Sequence, residues 1–182
     1  LYARVANALR MPPVGEWDTF PFEGNLRPRP LRPPLDEEVP RQGAGGIDCR
    51  ACAAPDDRFI WTTERWRLGA FERPSGLPVI LILEPRAHYG EPGDLPDDLA
   101  AELGVTLARV ERAVRAVPHV GRVHVCRWGD GGEHLHWWFI ARPSRLPQLI
   151  GSFAAIWDDI LPPIPEEIWR ENLAVVAREL SL

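Results

Sequence analysis

Two short motifs contain residue types that bind metals or attack phosphorus. The first is Cys49-Arg-Ala-Cys52, and the second is His134-Leu-His136. Two cysteines separated by two residues can present both thiolates to one tetrahedral metal ion, because the short spacing lets the sulfur atoms converge. Thiol oxidoreductases use the same spacing at the start of a helix that follows a strand, and two unrelated core thiols are a third possibility. We favour a metal site, because histidines elsewhere in the chain can complete it.

The histidines are the candidate partners. His134 and His136 are two residues apart in a predicted strand, so both side chains point to one face of a sheet, with about 6.5 Å between them along the backbone. His88 ends a strongly apolar strand, a place where loops commonly build sites. His119 follows the proline that ends a helix and is expected in solvent. His124 alternates with valines, which predicts a hydrogen-bonded histidine within the sheet.

The composition excludes several other mechanisms. All 21 basic side chains are arginine, so Schiff-base, P-loop and general-base lysines are absent, and no G-x-S-x-G motif occurs. The net charge of −5 argues against nucleic-acid binding by bulk electrostatics. Three cysteines do not form a secreted disulfide framework, and no apolar run approaches the roughly 20 residues of a membrane span. We therefore expect a cytoplasmic protein without a membrane partner.

The chain divides into an extended arm and one folded domain. Residues 1–46 form the predicted arm, because proline and arginine alternate around residues 27–34 and glycines end the stretch. Its large aromatic residues, Trp17, Phe20 and Phe22, predict that it docks on the domain. Residues 47–182 have regular patterns and form the predicted domain.

The domain pattern predicts an α+β fold with an antiparallel sheet. A long helix is predicted from an N-cap at Asp94 to Pro118, with one apolar stripe. A further helical section begins at Leu149-Ile150. Strands are predicted within 59–71 and over 77–83, 122–128 and 134–141, the last two joined by a turn at Gly129-Asp-Gly-Gly132.

The order of these features resembles the histidine triad (HIT) superfamily. An apolar strand ending in Pro-Arg-Ala-His88, a long helix, a strand, a glycine-rich turn and His134-Leu-His136-Trp-Trp138 follow the pair of cysteines. The pattern is most similar to the branch that contains galactose-1-phosphate uridylyltransferases and zinc-containing HIT hydrolases, and it covers roughly residues 47–145. The resemblance implies a HIT-like antiparallel sheet with one long amphipathic helix, followed by C-terminal helices and preceded by the arm.

The resemblance also implies a structural zinc ion. In zinc-containing members the ligands are the two cysteines, the strand-end histidine and the first histidine of the triad. The corresponding residues are Cys49, Cys52, His88 and His134. Such a Cys₂His₂ set leaves no position for water, so the ion would connect the N-terminal segment to the sheet.

A nucleotide substrate and a covalent intermediate follow from the same resemblance. His136 corresponds to the family's nucleophile, which attacks the α-phosphorus of a nucleotide ester and forms a nucleotidyl-histidine. The attack requires the other ring nitrogen to be held as a donor, usually by a backbone carbonyl. The implied ligand is a nucleotide or a nucleotide-sugar-like molecule, and members commonly form homodimers.

The sequence departs from the family pattern at two places. Trp138 occupies the third triad position, where the family has histidine or glutamine, and indole cannot accept or exchange a proton. Gly131 and Gly132 form a phosphate loop that is shorter than in the family and ends in Glu133, which alternation places on the face opposite the first triad histidine. We expect Trp138 to stack on a base or sugar, and Arg127 and the two glycines to contact phosphate.

These departures leave two functions open. One is a HIT-type nucleotidyl hydrolase or transferase, and the other is a catalytically degenerate, zinc-stapled protein that binds a nucleotide or another ligand. A variant of the metal site uses both His134 and His136 and leaves His88 free. The thiol oxidoreductase is the least favoured reading, because no strand precedes the two cysteines.

Overall fold

The computed structural model describes residues 10–149 and 151–182. Within them, five antiparallel strands form one sheet in the order β1-β2-β3-β5-β4. Residues 1–9 of the predicted arm and Ile150 of the predicted helical section lie outside the described residues. The strands are β1 (Phe59–Thr62), β2 (Trp66–Ala70), β3 (Ile80–Pro85), β4 (Val120–Cys126) and β5 (Trp137–Pro143).

Four helices accompany the sheet in the described ranges. They are α1 (Arg50–Ala53), α2 (Asp97–Arg115), α3 (Ala154–Ile160) and α4 (Glu166–Leu180). The long helix begins three residues after the N-cap that we predicted at Asp94, because Leu-Pro intervenes and Pro96 fits the position before the first helical turn. Asp94 instead accepts a hydrogen bond from the Glu91 backbone N–H, in a 3₁₀ turn over Pro92–Asp94.

The main core lies between one face of the sheet and helices α2 and α4. Strand alternation places Trp66, Leu81 and Phe139 on this face, and all three are fully buried. Val110 of α2 and Val176 of α4 cover them. The apolar stripe of the sequence therefore identifies the side of α2 that faces the sheet.

The opposite face of the sheet is only partly covered. Ile80 and Ile140 pack against Leu77 and Leu149, and α3 closes this smaller cluster with Trp157. The rest of this face, around strands β1, β2 and β3, is open to solvent. The fold thus leaves a concave surface beside β5, near the triad residues.

The arm contacts the domain at two separate places. At the first, Trp17 and Phe20 pack on Phe153 with ring centroids 5.9 and 5.2 Å apart, and Trp157 donates a hydrogen bond to the Thr19 carbonyl. At the second, Gln42 forms a parallel bridge with Gly132. Residues 23–40 between these contacts are exposed. We call this exposed stretch the strap.

The strands differ from their predicted limits by two or three residues at several ends. The predicted strand 77–83 is observed as β3 over Ile80–Pro85, and the predicted strand 134–141 begins at Trp137. The Leu135 backbone N–H bonds to the Tyr89 carbonyl, so the triad histidines lie just before β5. No helix among the described residues combines the length and the apolar character that a membrane crossing requires.

Candidate metal centre and adjoining cleft

Four side chains from three distant parts of the chain converge beyond the end of β3. Cys49 caps the N-terminus of α1, and Cys52 lies within α1. His88 follows β3, and His134 precedes β5. One possible ligand atom from each residue lies within 4.8 Å of all the others. The structure therefore brings together the four residues that the resemblance implied as metal ligands.

The sulfur–nitrogen distances suit a tetrahedral ion. Cys52 Sγ lies 3.5 Å from His88 Nδ1 and 3.5 Å from His134 Nδ1. Cys49 Sγ is also 3.5 Å from His134 Nδ1. Zinc bonds of about 2.3 Å to sulfur and about 2.0 Å to nitrogen place neighbouring ligand atoms about 3.5 Å apart at tetrahedral angles.

The protonation chemistry of the two thiols also fits a cation. Desolvation and a hydrogen bond with the neighbouring Cys49 thiol raise the pKa of Cys52 to about 11. Two thiolates at this spacing repel each other unless a positive charge lies between them. A divalent ion would supply that charge and let both sulfurs lose their protons on binding.

A hydrogen bond at one ring nitrogen of His134 leaves the other ring nitrogen free to bind a metal. Its Nε2 lies 2.8 Å from the Pro85 carbonyl oxygen, which can only accept, so this nitrogen bears the hydrogen and Nδ1 is free to bind a metal. Burial lowers the pKa of His134, which favours the neutral ring that a metal ligand requires.

A buried arginine fixes the cysteine turn to the sheet. Arg67 of β2 donates to the carbonyls of Ala51 and Ala54, the turn that contains Cys52. It also pairs with Glu84 of β3 at 2.6 Å, and only 4% of its side chain is exposed. Burial raises the pKa of Glu84, an effect that the Arg67 charge opposes. The arginine therefore supports the metal centre from the sheet side.

Gly43 allows the arm to approach the cysteines. Its φ of +78° is unfavourable for other residues. A Cβ atom at this position would lie 3.1 Å from Cys49 Cβ and 3.3 Å from Cys49 Sγ. The glycine thus lets the end of the arm pass directly over the buried thiol.

His136 is half-buried and has a fixed ring orientation. Its Nδ1 lies 2.7 Å from the backbone carbonyl oxygen of His134. Since a carbonyl only accepts, Nδ1 is the protonated nitrogen and Nε2 keeps its lone pair. The His136 ring is 6.1 Å from the ring of Trp138, measured between centroids.

Trp138 forms part of a cleft of about 920 Å³ on the open face of the sheet. Phe59 and Phe71 also line it, and the Trp138 and Phe71 ring centroids are 5.6 Å apart. The indole Nε1 is buried and has no hydrogen-bond partner among the described residues. Two arginines, Arg50 and Arg73, are exposed at its rim.

Of the predicted phosphate contacts, Arg127 is paired with an acidic side chain, and the two glycines adjoin the arm. Arg127 pairs with Glu91 at 2.5 Å and donates to the Gly90 carbonyl. The Gly131 carbonyl accepts the Gln42 backbone N–H of the arm. Gly132, which also bridges to Gln42, lines the cleft.

Three expectations about individual residues are wrong. The metal variant with both triad histidines is wrong, because the cluster of possible ligand atoms contains His88 and does not contain His136. Glu133 does not face away from the centre: its carboxylate lies 3.5 Å from His88 Nε2, since the chain at this point precedes the regular strand. The Nε2 atom of His124 is buried without a partner in the described part of the chain. His119 is exposed, as expected.

Sequence reasoning missed Arg67, Glu84 and Gly43 as parts of the site. A signal existed for the charged pair: each interrupts an otherwise apolar strand, and such residues are buried only when paired. Gly43 had no comparable signal, because glycines are common in the arm.

Comparisons with known proteins agree with this fold. No protein-family model matches the chain, and no curated protein matches it. Among solved structures, a hypothetical histidine triad nucleotide-binding protein from Sulfolobus tokodaii is 16% identical, with a TM-score of 0.55 over 73% of this chain and 92% of its own. A zinc-bound histidine triad family protein from Mycobacterium smegmatis is 21% identical, with a TM-score of 0.52 over 72% of this chain and 95% of its own.

A larger protein shares the same architecture. A structure described as a uridylyltransferase is 18% identical and has a TM-score of 0.50 over 76% of this chain. The match spans 47% of the uridylyltransferase chain. Taken together, these similarities show that the chain has the HIT-like fold, as its motifs implied.

Proposed function

We propose that this protein is a nucleotide phosphoester hydrolase or nucleotidyltransferase that acts through a nucleotidyl-histidine at His136. The observation that carries the proposal is the 2.7 Å contact between His136 Nδ1 and the His134 carbonyl, which leaves the Nε2 lone pair available. The resemblance to the HIT superfamily supplies the reaction class. A structural zinc ion at Cys49, Cys52, His88 and His134 would connect the arm end to the sheet.

In the proposed reaction, His136 Nε2 attacks the α-phosphorus of a nucleotide ester. A phosphorus–nitrogen bond forms, the bond to the leaving oxygen breaks, and its electron pair departs with that oxygen. Water, which gives up a proton to solvent, or the anionic oxygen of a second phosphate, which has none to give up, then attacks the same phosphorus. The phosphorus–nitrogen bond breaks, and its electron pair returns to Nε2.

Trp138 restricts the leaving group. Indole has no titratable proton near neutral pH, so this position cannot protonate a departing amine or alkoxide. Leaving groups that are stable as anions, such as phosphate or a sugar phosphate, need no such proton. The expected substrates are therefore nucleotide sugars or dinucleoside polyphosphates, rather than phosphoramidates.

The aromatic cleft fits the rest of such a substrate. Trp138, Phe59 and Phe71 offer flat apolar surfaces on which a base can stack, each worth about 1–3 kcal/mol. The volume of about 920 Å³ is within the range of nucleotide-sized pockets. Binding there would place the α-phosphate towards Gly132 and the triad.

The test measures nucleotide release from a nucleotide sugar, a dinucleoside polyphosphate and a nucleoside phosphoramidate. We expect turnover of the first two substrates and its loss in His136→Ala, while His119→Ala, an exposed histidine outside the site, retains it. Mass spectrometry at neutral pH should detect a nucleotidyl adduct on the wild type only. Equal release by the wild type and His136→Ala contradicts the proposal.

A second candidate is a catalytically degenerate nucleotide-binding protein. The observation that favours it is the pairing of Arg127 with Glu91, which takes this arginine away from a phosphate. Calorimetry that shows nucleotide binding, together with no adduct and no turnover, would favour this candidate. The homodimer and the cytoplasmic location stay predictions from sequence.

A further inference from the structure

The carboxylate of Glu133 connects the candidate metal centre to the arm. Its Oε1 atom lies 3.5 Å from His88 Nε2 and accepts the Gly45 backbone N–H at 2.7 Å. Its Oε2 atom lies 3.6 Å from the guanidinium of Arg41. One side chain, from the turn before β5, thus contacts a candidate ligand and two residues of the arm.

His88 requires such a contact if it binds a metal. Its Nδ1 faces the Cys52 sulfur at 3.5 Å, so its Nε2 must carry the ring hydrogen. His134 directs its second nitrogen to a backbone carbonyl, whereas Glu133 is the acceptor that faces His88. Outer partners of this kind fix the ring orientation and the basicity of the ligand.

The arm residues beside Glu133 are held to the same turn by further bonds. We call residues 41–46 the docked segment. The Gln42 N–H bonds to the Gly131 carbonyl, and the Glu133 N–H bonds to the Gln42 carbonyl. Arg41 donates to the Gly129 carbonyl and pairs with Glu91 at 2.7 Å. A Cβ atom at Gly46 would lie 3.8 Å from His88 Cγ, so the segment passes close to the ligand ring.

We propose that Glu133 is the positioning residue for His88, and that through it metal binding and docking of residues 41–46 stabilise each other. The inference rests on the metal centre of the proposed function. When the metal fixes the His88 ring, Glu133 is held where it accepts the Gly45 N–H. By linkage, the docked segment must strengthen metal binding by the same factor with which the metal strengthens docking.

The sequence contains a natural reporter of docking. Trypsin cleaves after arginine but not before proline, and Arg27, Arg29 and Arg32 each precede proline. Between Arg10 and Arg50, the Arg41–Gln42 bond is therefore the only cleavable one, and it lies in the docked segment. Cleavage at this bond measures how often the segment leaves the turn.

The experiment compares the wild type, Glu133→Ala, Glu133→Gln and Glu38→Ala, which removes an exposed carboxylate beside the docked segment. Zinc affinity is measured by competition with a chromophoric chelator. We expect Glu133→Ala to bind zinc 10–100-fold more weakly than the wild type. Glu133→Gln keeps an oxygen acceptor but no charge, so its zinc affinity should lie between those of the wild type and Glu133→Ala. The zinc affinity of Glu38→Ala should equal that of the wild type.

Trypsin is then applied with zinc bound and after chelation. We expect zinc to slow cleavage at Arg41–Gln42 in the wild type, and to slow it much less in Glu133→Ala. Cleavage at Arg112–Ala113, inside α2, reports global unfolding and normalises the result. The proposal is overturned if Glu133→Ala binds zinc like the wild type, or if zinc does not change the normalised rate. A wild type that binds no zinc overturns both this proposal and the proposed metal centre.

Discussion

The candidate metal centre and the aromatic cleft lie at the same sheet, but they differ in the hydrogen bonding of their polar side chains. At the centre, His134 and His88 bond to the Pro85 carbonyl and Glu133, and Arg67 bonds to Glu84 through one terminal nitrogen, although its Nε is buried without a partner among the described residues. In the cleft, Trp138 Nε1 has none among the described residues, and the aromatic surfaces face open space. Hydrogen-bonded polar groups rigidify a region, whereas the open aromatic surfaces of the cleft leave room for a ligand.

Under the proposed function, the metal centre of this small domain stabilises the fold and the cleft binds the substrate. A metal ion held by Cys49 and Cys52 together with the two histidines would tie the segment after the arm to the sheet, so the cleft itself need not contribute much stability. A change at the centre should therefore destabilise the fold, and a change in the cleft should alter substrate choice. Three experiments can break or sharpen this contrast, and the largest expected effect comes first.

Loss of the metal should have the largest effect on stability. Cys49→Ser removes one of two thiolates, and with free zinc about 10,000-fold above Kd the lost linkage free energy is about 5 kcal/mol. For a chain of this length, the melting temperature should fall by about 10–20 °C. Cys126→Ser, which changes the cysteine outside the cluster, should melt close to the wild type. Calorimetry in buffered zinc is the measurement, and equal melting of the two variants would argue against a structural metal.

Breaking the buried ion pair between Arg67 and Glu84 should lower the unfolding free energy somewhat less than loss of the metal does. Arg67→Ala leaves Glu84 buried without its partner and should destabilise the fold by about 3–5 kcal/mol, measured by urea unfolding. Arg58→Ala breaks an exposed pair with Glu72 and should cost less than about 1 kcal/mol.

The double variant Arg67→Met with Glu84→Leu separates two effects of Arg67→Ala. These are the loss of the arginine's own contacts and the burial of an unpaired Glu84 charge. It should recover most of the loss, because no unpaired charge remains. If Arg67→Ala costs no more than Arg58→Ala, the arginine does not support the cysteine turn.

Trp138→His should change substrate choice, with a smaller effect on stability than the changes at the metal centre. A histidine there restores a group that can protonate a leaving amine, a contribution of about 10²-fold or more in rate. We expect phosphoramidate turnover to rise by that factor, while the unfolding free energy falls by less than the roughly 3–5 kcal/mol of truncating a core tryptophan to alanine, since Trp138 is only half-buried. Trp138→Gln cannot donate a titratable proton and serves as the control. An equal rise in both variants would show that space, rather than proton transfer, had limited the reaction.

The sequence predicted the residue types at the metal centre better than the contacts around it. The spacing of Cys49 and Cys52 and the strand-end place of His88 follow from local patterns that short motifs preserve. The direction of Glu133 did not follow, because strand alternation was applied to residues that precede β5. Alternation holds only where the backbone is extended and regular.

The sequence also did not predict which residues from distant parts of the chain contact each other. Arg67 and Glu84 face each other only because β2 and β3 pair in one register, and a shift of one residue would separate them. The prediction that Asp94 is the N-cap of the long helix is wrong for a local reason. The Leu-Pro that follows Asp94 delays the start of the helix by a few residues. The core side of α2 was predictable, because its apolar stripe is continuous.

The two attachment points of the arm have a consequence for its chain entropy. Trp17 and Phe20 hold one end, Gln42 holds the other, and the exposed strap joins them. Each attachment keeps the other at an effective concentration in the millimolar range, as in a bivalent ligand. A single nick in the strap would leave every contact in place and still weaken the attachment at Trp17 and Phe20, because that fragment would then bind as a separate molecule, whereas residues 41–46 would stay covalently joined to the domain.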